Sequence, residues 1–195
     1  MAPLAEPAPA DAVSVTVDAA ARFQSIDGFG YTLTGGSAGH LMAMSPAARG
    51  ALLRELFGVD GDGIGVGVLR LSIGASDLDA RPFSYDDPPD GLPDPDLAHF
   101  SIAPDRKALI PALREILAVA PDLFIMASPW SPPAWMKTNG STKGGRLRPE
   151  CHDAYAAYFV RYLRAMRDEG IRIAAVTVAC GLLGQGLQHR GTQGR

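Results

Sequence analysis

Apolar positions along the chain follow two alternating rhythms. Uninterrupted runs at residues 66–74 (VGVLRLSIG), 123–128 (LFIMAS) and 171–178 (IRIAAVTV) read as strands buried on both faces. Between them apolar residues recur at helical spacing, as Leu52, Leu53, Leu56 and Phe57, then Leu109, Ile110, Leu113, Ile116 and Leu117, then Tyr155, Tyr158, Phe159, Tyr162, Leu163 and Met166. The first of these helices starts with Ser45 as N-cap and Pro46 at the first helical position, and Gly58 ends it. The second is expected over about 105–119, broken by Pro121-Asp122, and the third over about 153–169, closed by Gly170. A shorter pattern, Phe23, Ile26 and Phe29, leads into a first strand near residues 28–34, in a Gly- and Thr-rich segment that implies close backbone approach or tight turning. Upstream, Val13, Val15 and Val17 alternate with Ser14, Thr16 and Asp18, the period of a half-buried antiparallel strand outside the main fold.

Strands and helices that alternate in this way predict parallel strands with right-handed crossovers, as a doubly wound sheet or a (β/α)8 barrel. Both architectures place ligands at the carboxyl ends of strands. Three features fall there. Ser76-Asp77 follows the strand at 66–74, and a long aperiodic stretch, 78–104, comes next. Loops of that length inside a compact domain are usually functional. The strand at 123–128 stops at Pro129, and residues 128–135 then hold three prolines and two tryptophans, Trp130 and Trp135. A Pro-stiffened aromatic loop at a strand's end is suited to binding.

Composition narrows the partners. With 195 residues, 47% hydrophobic and 20% charged, the chain reads as a soluble globular domain. A formal net charge of −3, with no block of Lys or Arg, gives no electrostatic case for nucleic acid or an anionic membrane. No apolar run reaches transmembrane length, and residues 1–12 read as a flexible Ala/Pro-rich lead without the basic start and apolar core of a signal peptide. Cys151 and Cys180 read as unpaired thiols, no spacing argues for a metal, and the absence of GxGxxG and P-loop patterns lowers a nucleotide reading. No cofactor is expected.

Five segments together resemble glycoside hydrolase family 30, the group that includes glucosylceramidase: FQSIDGFGYTLTGGSA (23–38), VLRLSIGASDLDARPFSYDD (68–87), LAHFSIAPDRKALIPALREI (97–116), ASPWSPPAWMKTNGSTKGGRL (127–147) and YAAYFVRYLRAMRDEGIRIAAVTV (155–178). The resemblance implies an α/β fold of the (β/α)8 TIM-barrel type, here about its first four β/α units over residues 13–178. The 13–17 strand would then belong to the family's side β-sandwich. Retaining hydrolysis of β-glucosides, glycolipids among them, is the implied chemistry. Asp77 is implied as the carboxylate that accepts hydrogen bonds from sugar hydroxyls, and its alternative reading is a loop Asp capping a turn. Trp130 is implied to cover the apolar face of a pyranose, with core packing as the alternative; Trp135 is read equally as a second sugar contact or as core. Arg70 resembles the strand arginine that lies beneath the family's catalytic carboxylates, though pairing with Asp77 or another local acid would satisfy it equally.

Catalysis is where the chain departs from the family. The expected acid/base is the Glu of an Asn-Glu-Pro sequence directly after the fourth strand, but Val178 is followed by Ala179-Cys180-Gly181, and no Asp or Glu occurs from Gly170 to Arg195. The family's nucleophile lies on a later strand. No catalytic residue is therefore assigned, the 179–195 stretch reads as a tail foreign to the family, and the expectation is a fragment inactive by itself, either a carbohydrate-binding remnant or a gene fragment.

Overall fold

Leu69, Leu71 and Ile73 alternate with Val68, Arg70 and Ser72 along one strand; the first three are essentially inaccessible, Val68 and Arg70 are half-buried, and Ser72 is buried at the strand's end. The computed structural model describes residues 13, 15–89 and 91–178. Within it this strand, β2 (Val68–Ile73), pairs in parallel with β1 (Gly30–Leu33) on one side and β3 (Phe124–Pro129) on the other. A short β4 (Ala175–Val176) completes a sheet in strict chain order, and the bonds from Ala174 N–H to the Ile125 carbonyl and from Thr177 N–H to the Ala127 carbonyl extend its pairing. A parallel sheet whose order matches the chain order is the opening segment of a (β/α)8 barrel. Its strands are parallel as expected, and β4 is shorter than the 171–178 run suggested.

The crossovers carry α1 (Gly35–Ala43), α2 (Pro46–Phe57), α3 (Leu109–Val119) and α4 (His152–Asp168). Their apolar sides, through Leu53, Phe57, Ile110, Leu113, Ile116, Tyr158 and Tyr162, form one core with Leu33, Leu69, Leu71, Ile125 and Ala127. Arg49 is buried in this layer and forms a two-pronged pair with Glu115, Nε to Oε2 at 2.7 Å and Nη2 to Oε1 at 2.8 Å, tying α2 to α3.

Three expectations change. Val13 and residues 15–17 are not in a strand: Val13, Val15 and Val17 are 90%, 82% and 86% exposed, and among the described residues no strand lies beside them to take up their backbone groups. Secondly, the Gly-rich segment after β1 is helical. Thr34 caps it, its Oγ1 accepting from Ser37 N–H at 3.1 Å, and Ala38 is fully buried. A Cβ on Gly35 would collide with the Asp79 carboxylate and one on Gly36 with the Leu78 carbonyl, so these glycines serve close approach of the β2 loop. The helix expected over 105–119 is a 3₁₀ turn at Asp105–Lys107 followed by α3, the two separated at Ala108.

The long 78–104 stretch has no helix or strand among its described residues, yet it is anchored. Tyr85 is fully buried and stacks on Tyr162 (5.6 Å between centroids, 6° between planes) and on Tyr158 (6.0 Å, 20°), with Phe100 meeting it edge-on at 5.9 Å. Its backbone N–H donates to Tyr158 Oη at 3.1 Å and its own phenol donates to Asp105 Oδ2 at 2.6 Å. Arg161 of α4 reaches the same loop, donating to the carbonyls of Asp96 and Leu97, each at 2.6 Å.

Burial pushes the Asp105 carboxyl up to about 7, against the lowering effect of the phenol's hydrogen bond and with help from the negative charge of Asp79. The folded state thus holds this proton more tightly than an unfolded chain, whose Asp titrates near ~3.9. Stability from this group is complete below about pH 4 and is lost as pH rises through about 7. Denaturant midpoints measured across that range should fall with pH, and Asp105→Asn should flatten the slope.

Candidate functional site

At the carboxyl end of β2, Gly74 takes a positive φ of 79° and turns the chain so that Ala75 N–H donates to the Phe83 carbonyl at 3.0 Å. Ser76 then closes a tight turn with Asp79, whose Oδ2 accepts from the Ser76 backbone N–H at 2.8 Å and from its hydroxyl at 2.9 Å. Asp77 lies inside that turn. It is exposed and makes no hydrogen bond or ion pair among the described residues.

Pro129 ends β3, and the next residues diverge in role. Trp130 is 39% exposed, whereas Trp135, on a 3₁₀ turn at Ala134–Met136, is 9% exposed. The Trp135 Nε1–H donates to Asp86 Oδ2 at 2.9 Å and to the Asp86 carbonyl at 3.2 Å, which fastens the β3 loop to the β2 loop. Asp86 is inaccessible, and burial raises its carboxyl to about 6 despite the indole's hydrogen bond. Its Oδ1 has no partner among the described residues.

Between the two loops lies a cavity of about 680 Å³ lined by Asp77, Asp79, Arg81, Trp130, Ser131 and Lys137, with Gly144 and Gly145 at its far wall. That wall is a short hairpin held by the pairing of Lys137 with Leu147 and by reciprocal bonds, Thr138 N–H to the Arg146 carbonyl at 2.9 Å and Arg146 N–H to Thr138 Oγ1 at 3.1 Å. An exposed indole beside an unengaged carboxylate matches a sugar ring, which offers an apolar C–H face and hydroxyl donors.

The structure therefore brings together Asp77 and Trp130, and separates the other two residues singled out from the sequence. Trp135 does not line the cavity; its ring is core and its N–H is already satisfied. Arg70 pairs with neither Asp77 nor another acid among the described residues. It sits half-buried on the sheet face opposite the helices, beside Thr32 and Met126 in register, with Nη1 donating to Thr32 Oγ1 at 3.4 Å. Lys137, Asp79 and the 138–146 hairpin were not singled out from the sequence, although Lys137 ends the Trp loop and Gly144-Gly145 marks a tight turn. Cys151 is a buried free thiol, and Cys180, like residues 1–12 and the 179–195 tail, lies outside the described residues. Among the described residues no His, Cys, Asp and Glu cluster could hold a metal, and no helix is long and apolar enough to cross a membrane.

Consecutive parallel strands backed by helices, with a cavity at their carboxyl ends, define part of a (β/α)8 barrel. The chain belongs to glycoside hydrolase family 30, matching the Glycosyl hydrolase family 30 TIM-barrel domain over residues 26–186. It is 37% identical over 162 residues to an endo-1,6-beta-D-glucanase of Neurospora crassa, covering 80% of this chain and 33% of that one. It is 34% identical over 170 residues to the lysosomal acid glucosylceramidase of Mus musculus, covering 84% and 32%. The solved structure of the endo-beta1,6-glucanase BT3312 superposes with a TM-score of 0.74 at 35% identity, over 83% of this chain and 36% of that one. SrfJ from Salmonella typhimurium superposes with a TM-score of 0.73 at 33% identity, over 80% and 34%. The chain thus spans about a third of the length of these relatives.

The two tryptophans should separate on mutation. Trp135→Ala removes a buried ring and strands Asp86, so denaturant unfolding should show a loss of about 3–5 kcal/mol. Trp130→Ala should change stability by less than about 1 kcal/mol.

Proposed function

We propose that this chain supplies the sugar-facing wall of a retaining glycosidase that acts on β-glucosides of the glucosylceramide kind. The convergence of Trp130 and Asp77 on one cavity from adjacent strands carries this reading. Trp130 offers its flat face to the apolar side of the pyranose, and Asp77, acceptor-only when ionised, takes hydrogen bonds from ring hydroxyls. β-1,6-Linked glucan is a second reading, favoured by the slightly higher identity to the Neurospora enzyme.

Chemistry is a separate matter from binding. Retaining hydrolysis uses two carboxyl groups about 5–5.5 Å apart, one as nucleophile and the other as acid/base. The carboxylates lining the cavity are Asp77 and Asp79, and Asp79 is committed to Ser76. No acid follows β4 in the sequence. By itself, then, the chain is a sugar-binding remnant that does not turn substrate over.

Titration with methyl β-glucoside should perturb tryptophan fluorescence with an affinity in the millimolar range, about 4 kcal/mol of binding. Asp77→Asn should weaken it roughly tenfold, as expected for loss of charge-assisted hydrogen bonds. An aryl β-glucoside should release no chromophore. Release of chromophore would contradict the remnant reading, and an Asp77→Asn chain that binds like the parent would contradict the site.

A further inference from the structure

Lys137 is 3% exposed, yet its ammonium has no carboxylate partner among the described residues. Two neutral oxygens receive it, Ser131 Oγ at 3.1 Å and the Thr142 carbonyl at 3.1 Å. Those acceptors belong to different walls of the cavity: Ser131 adjoins Trp130, and Thr142 lies in the 138–146 hairpin that faces it. An ammonium has three donors, and the third has no partner among the described residues, although Lys137 itself lines the cavity. A buried cation without a counter-charge is costly unless all its donors are used.

We propose that Lys137 is a ligand-binding residue of this cavity, with two donors holding Trp130's loop against the hairpin and the third left for an oxygen of the bound glycoside. This rests on the sugar-binding reading of the same cavity. The buried charge makes the third bond a charge-assisted one, stronger than a hydroxyl would give, in the same cavity as Asp77, which when ionised only accepts. The pair discriminates: Asp77 selects a hydroxyl that donates, and Lys137 selects an oxygen that accepts. A sugar hydroxyl or the glycosidic oxygen meets the second requirement.

Lys137→Met keeps the length and the apolar stem while deleting every donor. Ser131→Ala deletes one tie between the walls and leaves the charge and the third donor in place. Affinity for methyl β-glucoside, read from tryptophan fluorescence on the full chain, should fall about tenfold in Lys137→Met and about twofold in Ser131→Ala. Amide exchange over 138–146 should accelerate in Lys137→Met, reporting the lost wall contact. Equal losses in the two variants would reduce Lys137 to a tie between loops and overturn the proposal. A parent chain that binds while Lys137→Met binds equally well overturns it for Lys137 alone. Failure of the parent chain to respond to any glucoside overturns it together with the sugar-binding reading.

Discussion

Two adjacent residues, Tyr85 and Asp86, hold the loops at the carboxyl end of the sheet together. Tyr85 is clasped by Tyr158 and Tyr162 of α4 and bonded to Asp105, while Asp86 receives the Trp135 indole. One dipeptide in an otherwise aperiodic loop thus joins a helix, the loop after β2 and the loop after β3. Arg161 holds the far part of the β2 loop at Asp96 and Leu97, and this dipeptide holds the part that joins it to the Trp loop. The arrangement requires burying Asp86 and Asp105, whose carboxyls rise to about 6 and about 7, and leaves one Asp86 oxygen unbonded. Natural sequences break local rules of this kind mostly where function demands it.

The strands contribute direction rather than chemistry. β2 and β3 run in register from Val68 beside Phe124 to Ile73 beside Pro129, so the loops that follow them emerge side by side. Division of labour in the Trp loop follows from its prolines. Pro132 and Pro133 are buried and fix the backbone between Trp130, which lines the cavity, and Trp135, which enters the core. Lys137 then links the start of this loop to the hairpin that follows it.

Most of the sheet and the three longest helices were legible from the sequence because burial there follows simple periods. α2 begins and ends where Ser45, Pro46 and Gly58 indicate, β2 lies inside its apolar run, and β3 passes the end of its run by one residue, Pro129. α1 was not legible, since Gly35, Gly36 and Gly39 are poor helix formers whose cost is offset by tertiary packing and the Thr34 cap. The Val13–Val15–Val17 alternation misled because a two-residue period reports suitability for a sheet, and among the described residues no strand lies beside these three. In the site, Asp77 and Trp130 could be picked out because each follows a strand end. Trp135 could be resolved only by seeing Asp86, a residue 49 positions away. Lys137 carries no sequence signal of its role, which arises from two acceptors that only the fold brings together.

Trp130 and Trp135 share one loop, yet only Trp130 lines the cavity. Indole N–H resonances of an isotopically labelled chain, assigned by Trp130→Phe and followed through a methyl β-glucoside titration, address this difference most directly. The Trp130 signal should move saturably with added sugar while the Trp135 signal, held on Asp86, stays in place. Movement of the Trp135 resonance with Trp130 unchanged would rule out Trp130 as the sugar-facing ring.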